Sequence, residues 1–199
     1  MKSLFFVSLL AICCNPAELK TNQSEHTGNL ETTEPLFPVG MIPDDSCAQI
    51  NIGDKVCNFR LKDQNGEVWD LYSHKGDIIV LDLSAGWCYP CNLAADSVQA
   101  MQESYERDNV QIVTVLVDGY IGSNEPTEDE IDRWVSEHNI ETAPVLQGSR
   151  PKMLDPAGEK GYILSAFPTY FYIDRDMILY DAHIGFGDEY VRQKIEDKL

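Results

Sequence analysis

Basic residues are scarce in this chain. Lysine and arginine number 15 against 33 aspartates and glutamates, a formal charge of -18 over 199 residues. Nucleic acid and anionic lipid surfaces repel such a chain, so neither is expected as a direct partner. The apolar run at the N-terminus is too short to span a bilayer, which takes about 20 apolar residues. Only one Cys-x-x-Cys is present, Cys88 to Cys91, so a four-cysteine zinc site has no second half. Internal repeats are absent. Six cysteines are too few for a dense disulfide scaffold. The hydrophobic share of 43% supports one well-buried domain with residues left for a leader and a linker, whereas two full domains would be tight.

Met1-Lys2-Ser3 followed by Leu4–Ile12, apolar apart from Ser8, reads as a secretory signal peptide. Its end, Leu10-Ala11-Ile12-Cys13-Cys14, resembles the lipobox of bacterial lipoproteins, which implies acylation of Cys13. Ile12 departs from that pattern, where a small residue precedes the cysteine. Residues 1–14 are therefore expected to be signal peptide and lipobox. Residues 15–46, rich in Asn, Thr, Glu, Ser and Pro, are expected to be a flexible linker, because so polar a tract cannot bury enough surface to offset chain entropy. Leu36 to Ile42 is less polar and is expected to dock on the domain that follows, residues 47–199.

Within that domain, Phe59–Asp63 and Val68–Leu71 alternate apolar and polar around Asn65-Gly66, a hairpin signal. Ile78–Leu83 is nearly all apolar, as a strand buried on both faces requires. Apolar residues recur at helical spacing from Asn92 to Arg107, and Val110–Val117 is a second apolar strand. Thr127 to Glu130 reads as a capping box opening a helix to His138. Short strands and turns are expected over 143–168, a hairpin about Asp174–Asp176, and a last helix from Asp188 to Lys198. This alternation predicts an α/β fold with helices on both faces of the sheet and the two early strands parallel.

Cys88-Tyr89-Pro90-Cys91 falls where a buried strand gives way to a helix. A thiol there faces unpaired backbone N–H groups and the positive end of the helix dipole. Both favour the thiolate, the attacking species in disulfide exchange, over a free thiol of pKa about 8.5. Three residues on, Cys91 returns to the same side of the helix, where it can resolve a mixed disulfide. Pro90 suits the first helical turn.

Trp87-Cys88-Tyr89-Pro90-Cys91 resembles the Trp-Cys-x-x-Cys motif of the thioredoxin-like superfamily, and the early hairpin is similar to its AhpC/TSA-related TlpA/ResA-like branch. The resemblance, over about Gly53 to Leu199, implies a three-layer α/β/α sandwich with a mixed central sheet and an N-terminal β-hairpin extension. It implies a thiol–disulfide oxidoreductase with Cys88 as nucleophile and Cys91 as resolving thiol. Pro168 would be the family's cis-proline, exposing the Phe167 backbone to a substrate strand. Trp87, Tyr89 and Pro90 complete the expected substrate-binding set. Asp82, six residues before Cys88, resembles thioredoxin's buried proton acceptor, and burial would raise its pKa toward neutrality. The branch has Glu three residues after the second cysteine, where Ala94 stands here, so a mechanism through that Glu is unsupported.

Cys47 and Cys57 precede the fold, and their expected role in an oxidising compartment is a structural disulfide, with a second redox relay as the rival. His26, His74, His138 and His183 form no pattern, and each is expected at the surface. The overall expectation is exchange with disulfide or dithiol protein substrates in a bacterial periplasm or cell envelope, in the reducing direction. No cofactor is expected beyond the redox-active cysteine pair, electrons come from a membrane or periplasmic donor, and contact with the membrane is through the lipid anchor alone. Two alternatives remain. One is a copper chaperone using Cys88, Cys91 and His183. The other is a peroxiredoxin-type peroxidase, whose Pro-x-x-x-Thr-x-x-Cys pattern would need Pro at Leu81 and Thr at Ala85.

Overall fold

The computed structural model describes residues 47–154 and 160–199. The expected leader, the lipidation at Cys13, the linker with its docking segment, His26 and the turn at Asp155–Gly158 lie outside the described residues. Among the described residues no helix is long and apolar enough to cross a membrane.

Seven strands and four α-helices form one unit over the described residues. Strands β1 (Arg60–Lys62) and β2 (Val68–Asp70) pair antiparallel as a separate hairpin. The Asp63 carboxylate closes its turn by accepting the N–H groups of Asn65 and Glu67, and Gly66 takes the positive φ of 77° that the turn demands. The main sheet has the order β5-β4-β3-β6-β7. At its centre β3 (Ile78–Ala85) runs parallel to β4 (Val110–Asp118) and antiparallel to β6 (Thr169–Ile173). The edges are β5 (Val145–Gln147), parallel to β4, and β7 (Leu179–Ile184), antiparallel to β6.

Side chains alternate along β3, so each face of the sheet has its own core. Ile78 and Val80 meet α1 (Tyr89–Ser104), α2 (Glu128–Glu137) and α4 (Asp188–Glu196) through Ala95, Val98, Met101, Trp134, Val191 and Ile195. Ile79, Leu81 and Leu83 meet Phe59, Leu61 and Trp69 of the hairpin, together with Met153 of the short helix α3 (Arg150–Met153). The three layers are therefore unequal: the long helices share one face, and the hairpin and α3 cover the other. The capping box at Thr127 and Glu130 forms as expected. Helix α1 begins at Tyr89, three residues before the expected start at Asn92, because Cys88 caps it and Pro90 fills its first turn.

Candidate active site

Strand β3 delivers the motif. Beyond Ala85 the chain turns so that Cys88 becomes the N-cap of α1, with its sulfur accepting the N–H of Cys91 at 3.3 Å. The carbonyl of Cys88 accepts the N–H groups of Cys91 and Asn92. No acidic side chain lies in the first turn of α1 to oppose a thiolate there. Cys88 and Cys91 are joined as a disulfide with Cα atoms 5.3 Å apart. Their environments differ. Both are buried, Cys91 at 0% and Cys88 at 4% exposure, but Cys88 lines a groove of about 380 Å³ that opens to solvent and Cys91 does not.

The groove brings the motif together with the segment before β6. Trp87, Tyr89 and Pro90 line one side, and Leu164 and Phe167 the other. The Trp87 and Phe167 rings meet edge to face at 5.8 Å between centroids. Phe167–Pro168 is a cis peptide bond. Among the described residues neither the N–H nor the C=O of Phe167 has a backbone partner, while the Pro168 carbonyl accepts from Gly185. Trp87 and Tyr89 are 49% and 72% exposed, and Leu93 one turn along α1 is exposed as well.

Beneath the motif, Asp82 is 1% exposed and lies on the α1 face of β3 with Ser84, whose hydroxyl donates to its Oδ2 at 2.8 Å. Its Oδ1 has no partner among the described residues. Burial lifts the Asp82 carboxyl to about 7, partly offset by the Ser84 hydrogen bond. Its neighbours in register are Thr114 on β4 and Tyr170 on β6.

Comparison with known proteins gives this geometry a family. The AhpC/TSA family model matches residues 52–182, more than half of the chain. The chain belongs to the AhpC/TSA family. It is 26% identical over 151 residues to the thioredoxin-like protein YneN of Bacillus subtilis, covering 75% of this chain and 79% of that protein. It is 28% identical over 126 residues to the thiol–disulfide oxidoreductase ResA of Oceanobacillus iheyensis, covering 61% of this chain and 59% of that one. Among solved structures, the thiol:disulfide interchange protein DsbE of Chlorobium tepidum superposes with a TM-score of 0.60 at 27% identity, over 75% of this chain and 98% of that one. Within the AhpC/TSA family the chain is thus a TlpA/ResA-like protein of thioredoxin fold and a thiol–disulfide oxidoreductase.

Several residues of this AhpC/TSA site carry no sequence signal. Asn92 donates through Nδ2 to the carbonyls of Gly86 and Cys88, at 3.2 and 2.8 Å, and so clamps the turn that presents Cys88. Its Oδ1 faces Nε2 of His138 at 3.3 Å, and His138 Nδ1 meets Asp96 at 2.7 Å. His138 is therefore no free surface histidine. It is buried at the end of α2 against Trp134. Nor is His183, which is half-buried with Tyr170 and Tyr172 stacked near its ring and Tyr172 bonded to its Nδ1 at 3.1 Å. Among the described residues no three His, Cys, Asp or Glu side chains converge as a metal site. Arg150 at the start of α3 reaches the groove, held by Asp118 at the end of β4, 32 residues away in sequence. Gly86 is demanded by close approach: a Cβ there would stand 2.7 Å from the Tyr120 ring and 3.0 Å from the Gly119 carbonyl carbon.

Away from the groove, Cys47 and Cys57 form a second disulfide, with Cα atoms 5.8 Å apart. It ties the start of the described domain to the segment before the hairpin, where Tyr162 donates to the Cys57 carbonyl and Val56 to that of Met177.

Proposed function

We propose that the protein reduces disulfides of extracytoplasmic proteins, with Cys88 as nucleophile, Cys91 as resolving thiol and Asp82 as proton acceptor. The observation that carries this reading is the unequal placement of two buried cysteines one helical turn apart: Cys88, 4% exposed, lines the groove, and Cys91, 0% exposed, does not. The Cys88 sulfur stands at a helix N-cap on an open groove, and the Cys91 sulfur is sealed behind it.

In the reduced enzyme, the Cys88 thiolate attacks one sulfur of a substrate disulfide. That S–S bond breaks, a mixed disulfide forms, and the first substrate thiolate leaves and takes a proton from solvent. The Cys91 thiol then passes its proton to the Asp82 carboxylate and attacks the Cys88 sulfur, expelling the second substrate thiolate. Two electrons have moved to the substrate, and the enzyme is left as the Cys88–Cys91 disulfide. A membrane or periplasmic dithiol donor restores it. Trp87, Tyr89, Pro90 and Phe167 hold the substrate strand, with the Phe167 backbone beside Pro168 as its pairing edge. The apolar leader ending at Cys13 supports an envelope location with a lipid anchor on that cysteine, and the Cys47–Cys57 link is structural. The Cys-Tyr-Pro-Cys pair is the whole redox group, with no further cofactor.

Titrating the Cys88–Cys91 couple against glutathione tests the direction. A reductase has a potential well below that of the oxidising members of the superfamily, and a value at their end rejects reduction as the physiological direction. Reduction of insulin should vanish in Cys88→Ala, while Cys91→Ala accumulates mixed disulfides visible on a non-reducing gel. Normal turnover by Cys91→Ala would overturn the assigned roles.

A further inference from the structure

We infer that Arg150 is a specificity residue, and that the groove selects polypeptide substrates carrying a carboxylate beside the reacting cysteine. This deepens the exchange activity proposed above and rests on it.

The case begins with how the guanidinium is held. Arg150 donates from Nε to Oδ1 of Asp118 at 2.9 Å and from Nη2 to Oδ2 at 2.7 Å, a two-point clamp on a planar group. Its central carbon lies 5.5 Å from the Phe167 ring centroid. The two partners are not equally accessible: the Asp118 side chain is 1% exposed and that of Arg150 43%. The carboxylate is therefore sealed in the protein, and the cation is the half of the pair that an incoming molecule meets. The clamp uses two of the five guanidinium N–H donors, which leaves three to engage a substrate.

Position makes this cation consequential. Arg150 lines the same groove as Cys88 and Phe167, and among the described residues every other lining residue apart from Cys88 itself is uncharged at neutral pH. Among the described residues the one fixed charge lining the groove is thus positive, with its Asp118 partner sealed behind it, on a chain whose formal charge is -18. The overall field favours cationic substrates, whereas the local group favours anionic ones. A substrate strand passing over Phe167 to present a sulfur to Cys88 brings its neighbouring side chains within reach of that guanidinium. A Glu or Asp there gains a charge-assisted hydrogen bond, and a Lys meets repulsion.

Three cyclic disulfide peptides, alike except for Glu, Gln or Lys beside one cysteine, provide the test. The full-length reduced protein reduces each one, and each rate is divided by that of dithiothreitol on the same peptide to remove intrinsic reactivity. At low ionic strength the Glu peptide should react about fivefold faster than the Gln peptide, as a half-exposed ion pair allows, with Lys slowest. Raising the salt to about 0.5 M should compress the series. Arg150→Gln should bring the Glu-to-Gln ratio to about one or below. Because that variant leaves Asp118 buried without its partner, the same ratio is read in Arg150→Gln/Asp118→Asn. The order Lys, Gln, Glu in the wild type, or a Glu preference that survives in both variants, overturns this inference and leaves the oxidoreductase standing. Failure to reduce any of the three peptides refutes the exchange reading itself, and this inference with it.

Discussion

Replacing Asp82 by Asn should stabilise the protein, and by an amount that depends on pH. The Asp82 carboxyl has its pKa raised by burial from 3.8 to about 7. Between those values the unfolded chain has lost the proton and the folded chain keeps it. Stability therefore falls as pH rises through that window, because the unfolded state binds fewer protons. Near pH 8 both states are ionised and the folded one holds its charge away from water, at a cost of about 4 kcal/mol. Near pH 4.5 the same group costs about 1 kcal/mol. Asn keeps an acceptor for the Ser84 hydroxyl and carries no charge. Measured by urea unfolding of the oxidised protein, the gain of Asp82→Asn over wild type should grow by about 3 kcal/mol from pH 4.5 to pH 8. The reduced variant should also release substrate from the Cys88 mixed disulfide more slowly at neutral pH, as the proposed proton transfer from Cys91 to Asp82 requires. Parallel stability profiles across this range would show that the carboxyl titrates normally, and would remove the physical basis for its role.

Two other perturbations have defined outcomes. The Cys47–Cys57 link closes a short loop of sequence separation 10, which limits its entropic contribution to about 3 kcal/mol. Cys47→Ala/Cys57→Ala should lower the urea midpoint accordingly while peptide exchange through Cys88 continues; loss of exchange would mark the pair as a second redox relay. Gly86→Ala should cost about 1–3 kcal/mol, because the new methyl meets both the Tyr120 ring and backbone at Gly119. Adding Tyr120→Ala should recover part of that loss, so thermal unfolding should give a non-additive double-mutant cycle, and strict additivity would place the strain elsewhere.

What was legible in the sequence divides along physical lines. Ile78–Leu83 announced the central strand because burial on both faces leaves Asp82 as its one polar position, and the strand runs on through Ser84 because that hydroxyl is taken up by Asp82. The start of α1 was harder to read, since Tyr89 and Pro90 carry no apolar period and the capping atom is a sulfur. Strand β5 is three residues long and owes its existence to an open edge of β4, a partner that local pattern does not reveal. The cysteine pair was visible as a motif. The groove around it was not, because Arg150 with Asp118, and Asn92 with His138, are brought together by chain crossings that leave no periodic trace. For the same reason the histidines misled: surface placement is the default for a scattered His, and tertiary packing overrode it at His138 and His183.

The burial of Cys91 has a consequence for chemical resilience. Of this pair, oxidants, heavy metals and alkylating agents arriving through the groove meet Cys88 alone, and its mate answers only to what that first atom has already captured. Damage or capture at Cys88 can be undone from within by the neighbour, so long as the adduct leaves as a thiol. A probe that labels both cysteines in the folded, reduced protein has therefore first opened α1.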